Sequence, residues 1–145
     1  MARTKLKQYS DTITINERQL DDLAETMEAV LEYGVIQIDD NKLATNISLG
    51  SAITGTVFNL IRPAAIAVGI VSLVTSLSTN LRGDLENNIE QAVRDLHRTR
   101  RFMRDNPQYT KLEIEFPFMD YDDIRLITGK GLVTRLYSKS GWTEM

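Results

Sequence analysis

The chain has 145 residues, 42% hydrophobic and 26% charged, with 17 Lys+Arg against 20 Asp+Glu and a formal net charge of −3. These globular proportions exclude a wholly disordered or collagen-like chain, and the length suits a single domain, 1–145. With no cysteine and one histidine, disulfides, thiolate chemistry and a multi-histidine metal site within one copy are excluded as well.

The first part, 1–48, is acid-rich. Met1–Ser10 is basic and polar and lacks the apolar core of a secretory signal. Thr12–Ile15 alternates and predicts a short strand. Residues 16–33 then predict an amphipathic helix, with Leu20, Leu23, Ala24, Met27, Val30 and Leu31 on one face. Asn16 and Gln19 have capping-box spacing, and Gly34 suits a left-handed helix end. Asp21, Asp22, Glu25, Glu28 and Glu32 line the other face. Val35–Ile38, a turn at Asp39-Asp40-Asn41 and a return strand over Lys42–Ser48 predict a hairpin.

The second part, 49–106, holds the strongest feature. Residues 43–81 carry one charge, Arg62. The spacing predicts helix over Ala52–Ile61, a break at Arg62-Pro63 and a new apolar helix through Ala64–Leu81, because proline suits a first helical turn and disfavours helix in the residue before it. Its length lies between a buried core helix and a bilayer span. Ala65, Gly69, Ser72 and Ser76 form a stripe of small side chains that allows close helix approach. The larger Ile66, Val68, Ile70, Val71, Leu73, Val74 and Leu77 must find lipid, the chain's own core or another subunit.

Residues 81–105 predict a second amphipathic helix whose end is basic, with Arg98, Arg100, Arg101 and Arg104. Helix-dipole compensation explains part of that cluster. Anionic headgroups, nucleic-acid phosphate or an acidic partner are its functional readings, and the overall acidic charge argues against a dedicated nucleic-acid binder. Basic residues on that side would also keep the C-terminal part of a membrane-bound chain cytoplasmic.

The third part, 107–145, changes to a period of two. Leu112–Phe116 predicts a half-buried strand, and Ile124–Thr128 with Leu132–Tyr137 predict a hairpin about Gly129-Lys130-Gly131. Asp120, Asp122 and Asp123 are the tightest carboxylate cluster here and the metal-enzyme candidate, although loop acidity between strands is the commoner explanation. Gly129-Lys130-Gly131 lacks phosphate-loop spacing, and His97 lacks an aligned carboxylate.

The expected fold is therefore α+β: an amphipathic helix, a broken apolar segment, a basic-ended helix and a small antiparallel meander. The expected role is a non-enzymatic, self-associating structural or assembly component without metal or cofactor. It associates with a membrane through 64–81, or is a soluble oligomeric adaptor, virion or secretion-machine subunit burying that helix between copies. The expected partners are itself, an anionic membrane surface or another subunit, with no dedicated nucleic-acid binding.

Overall fold

A computed structural model describes residues 6–145. The chain is α+β, with its helices packed together and a five-stranded antiparallel sheet. Strand β1, Lys7–Asn16, leads into helix α1, Glu17–Ala29. Asn16 and Gln19 close the capping box: the Asn16 side chain accepts from the Gln19 amide at 2.8 Å, and the Gln19 side chain accepts from the Asn16 amide at 3.1 Å.

The hairpin expected over Val35–Ser48 does not form. The helix instead runs on as a π-helical segment, Val30–Ile36, followed by helix α2, Asp40–Thr45. Packing overrides the β-branched run: Val35 is buried, and Gly34 lies where a Cβ would sit 3.1 Å from Ile70 and 3.2 Å from Leu43. Gly34 is therefore a close-approach residue, and the left-handed position falls later, at Ile38 with φ 55°.

Helix α3, Ser51–Phe58, ends on Asn59 at φ 61°, a left-handed cap whose amide bonds the Gly55 carbonyl. Helix α4, Pro63–Ser76, starts at the proline, after an extended Arg62. It stops at Ser76, short of the expected Leu81. Leu77 is extended, and Ser78 caps helix α5, Thr79–Asp105, accepting from the Leu81 amide at 3.3 Å.

Strand β2, Lys111–Tyr121, is the hub of the sheet. It pairs β1 on one side, and on the other it pairs β4, Leu132–Ser138, at one end and β3, Ile124–Ile127, at the other. The expected hairpin between the last two segments is thus corrected: both pair with β2 rather than with each other. The handover falls at Pro117, which has no amide to offer on that side. Strand β5, Gly141–Glu144, pairs β4 at the far edge. One hydrophobic cluster joins Ile13, Ile15, Leu112, Ile114, Phe116 and Phe118 of the sheet to Leu23, Met27, Ile70, Leu73, Ile89 and Leu96 of the helices.

Candidate interaction surfaces

Helix α4 is divided lengthwise. Ile66, Ala67, Ile70, Leu73 and Val74 enter the chain's own core, whereas Val68 is 53% exposed. Pro63, Ala64, Ser72, Thr75 and Ser76 are exposed beside it. No charge occurs on that outward side, the reverse of an ordinary surface helix.

The small-residue stripe lies along the boundary between these sides. Ala65, Gly69 and Ser72 line a groove of about 310 Å³, shared with Leu60, Val68 and the β2–β3 turn. Ser76 stands outside it and donates its hydroxyl to the Leu73 carbonyl at 2.6 Å. Gly69 has an internal duty: a Cβ there would lie 3.0 Å from Ile124 of β3. Close approach occurs in this fold between a helix and a strand of one copy.

Together α3 and α4 make a stretch, Ile53–Ser76, that is 24 residues long and apolar enough to cross a membrane by length and composition. A core helix of a soluble protein shares that property. Of its most apolar window, 39% is buried inside the chain, so about one side of the stretch turns outward.

The four arginines do not form one patch. Arg100 pairs with Asp21 of α1, and both line a cleft of about 430 Å³ with Glu17, Arg18 and Arg104. Arg98 lies on another face, in a cleft of about 190 Å³ with Gln91, Arg94, Asp95 and Lys130. Arg101 is exposed. His97 is hydrogen-bonded to Glu28, so the acidic face of α1 holds α5 at two points, this hydrogen bond and the Arg100–Asp21 ion pair. Burial pushes the Asp95 carboxyl up against the opposing pull of Lys130 and Arg98.

The Asp cluster does not converge. Asp120 accepts from the Tyr9 hydroxyl at 2.8 Å, while Asp122 and Asp123 form the exposed β2–β3 turn, with Asp122 at φ 52°. Among the described residues no group of three His, Cys, Asp or Glu is placed to hold a metal ion.

Arg125 was not singled out in the sequence. Its side chain is only 9% exposed and pairs with Asp11 at 2.8 Å, with its guanidinium carbon 3.7 Å from the Phe118 ring centroid. Burial works against its charge, yet the hydrogen bonds to Asp11 and Tyr9 outweigh that and raise its pKa. The same guanidinium, with the Thr12 amide, holds the Asp11 carboxyl below its ordinary value. The signal available was an arginine inside the apolar run Ile124–Ile127, a position that demands a partner. On the outer sheet face, Arg135 binds Glu113 at 2.7 Å and stacks on Trp142 at 4.4 Å. Comparison with family models, with curated proteins and with solved structures gives no match in any of the three.

Proposed function

We propose that the protein is a non-enzymatic, self-associating structural or adaptor component whose copies meet through the outward side of α4. One observation carries this reading: a helix without a charge from Pro63 to Ser76 turns Val68 to the outside at 53% exposure. This face lacks the charged and polar side that a surface helix normally presents, and it adjoins the groove lined by Leu60, Ala65, Val68 and Gly69, which a second packed surface would fill. The buried half of α4 supports the soluble form of the assembly over one inserted in a bilayer. The exposed arginines Arg98 and Arg101 remain available to an acidic partner or an anionic surface.

Sedimentation equilibrium of the full chain at micromolar concentration tests the reading. The expected result is a mass above one copy, lowered in Val68→Asp while the circular dichroism stays unchanged. A single-copy mass for the native chain would overturn it.

A further inference from the structure

We infer that the free edge of β1 is a second self-contact, at which two copies pair β1 with β1 antiparallel about a two-fold axis through Tyr9. This rests on the self-association proposed above but uses a different surface. Among the described residues the sheet has three places where a strand could be added. Strand β3 is buried along all four residues, with α3 and α4 packed against it, and β5 is only four residues long. Strand β1 is ten residues long, and its pairing with β2 runs from Lys7 to Asn16 without a bulge. It contains no proline, a device that blunts an edge, and the charges it does carry, Lys7 and Asp11, are of opposite sign and can answer each other across a pair of copies.

The direction of its backbone groups follows from the ladder. The Met145 amide bonds the Thr134 carbonyl at 2.9 Å, and the Thr128 amide bonds the Pro117 carbonyl at 3.0 Å. Alternation across the registers then aims odd positions of β2 at β3 and β4, even positions of β2 at β1, and odd positions of β1 at β2. The amides and carbonyls of Gln8, Ser10 and Thr14 therefore point off the edge. Consistent with this, the amides of the even residues Thr12 and Asn16 are taken by local side chains, Asp11 at 2.8 Å and Gln19 at 3.1 Å. A row of outward backbone groups recognises an extended chain.

Charge selects a copy of the same strand, and its register. With the axis at Tyr9, Lys7 lies opposite Asp11 of the partner subunit, twice by symmetry, and the two tyrosines face each other. An axis at Asp11 would oppose two carboxylates, and an axis at Ser10 would set Lys7 against Ile13 of the partner subunit. Opposite charges and aromatic pairs stabilise cross-strand contacts, and like charges weaken them.

The test is the mass of the full chain as native protein, Ser10→Pro, Lys7→Glu and Val68→Asp, each with its circular dichroism. Proline at residue 10 removes an outward amide, which an edge strand tolerates. Glutamate at residue 7 opposes a carboxylate twice, an expected loss of about tenfold in association. The pairing predicts that Ser10→Pro and Lys7→Glu both lower the mass while keeping the native spectrum. If the native chain assembles and Lys7→Glu and folded Ser10→Pro assemble equally, the edge pairing is overturned and self-association stands. If Ser10→Pro does not fold, Lys7→Glu alone decides. A native chain of single-copy mass overturns both.

Discussion

Arg125 shows how one side chain ties the N-terminal strand to the β2–β3 hairpin. Its charge is removed from water and answered by Asp11, Tyr9 and the Phe118 ring. Arg125→Met keeps the volume and removes the charge, leaving Asp11 at the rim, half exposed and able to hydrate. The expected loss is about 1–3 kcal/mol, read as a lower urea midpoint. The pH dependence has a definite sign. The Asp11 carboxyl is depressed from 3.8, so its contribution is complete above that value and is lost as pH falls through the folded value. Arg125→Met is expected to flatten this part of the acid limb. Asp95 behaves oppositely: its carboxyl is raised above 3.8, so ionising it opposes folding at neutral pH. Asp95→Asn is therefore expected to raise Tm at pH 7 and to leave it nearly unchanged well below pH 3.8; a lower Tm at pH 7 would contradict this. The sequence displayed Arg125 within an apolar run, but its partner stands 114 residues away. A pairing of that kind becomes visible only once β1 is known to join β2.

Elements were legible where a local device sets them and obscure where packing does. The capping box at Asn16, the start at Pro63 and the alternation of Leu112–Phe116 each have a cause within a few residues. Val35–Ile38 has strand composition, yet the core holds Val35 in a helical continuation. Pro117 resembles a strand end, but β2 passes through it because its missing amide falls between β4 and β3. The small-residue stripe has the spacing that lets another helix approach, and within this copy Gly69 also makes room for Ile124 of β3. Gly69→Leu would consequently disturb the fold itself, and Val68 is the cleaner probe of assembly. Gly131 makes a related case. A Cβ there would lie 2.5 Å from Ile114 and 2.6 Å from the Phe116 ring. Gly131→Ala is expected to cost about 1–3 kcal/mol by overpacking, measured as a lower urea midpoint; an unchanged midpoint would show that the β3–β4 connection relaxes freely.

At the scale of the whole molecule, the central question is whether the uncharged segment could leave the core for lipid. Alone, α4 has 14 residues, about 21 Å at 1.5 Å per residue, against a hydrocarbon core of about 30 Å. Adding α3 supplies the length but brings in the non-helical link at residues 59–62, whose freed backbone groups lipid would not satisfy. The link also carries Arg62, and an arginine at mid-membrane costs about 2.5–3.5 kcal/mol on insertion scales. Withdrawing Ile66, Ile70, Leu73 and Val74 would expose the sheet and helices they now cover. Lipid would replace contacts that these four side chains already have, while the protein left behind would lose its own share at about 1.5–3 kcal/mol for each large apolar side chain uncovered. The outward side contributes little to insertion, since Val68 is its only large, strongly exposed apolar residue within α4. The balance favours retention in the core. The full chain is therefore expected to stay in the aqueous fraction when mixed with neutral phosphatidylcholine vesicles and floated on a density gradient. Vesicles containing anionic lipid should retain it only at low salt, through cations such as Arg98 and Arg101, and release it at 0.5 M salt, where screening acts within about 4–5 Å. Flotation that survives both high salt and alkaline carbonate would mean that α3 and α4 had exchanged their place against β3 for lipid.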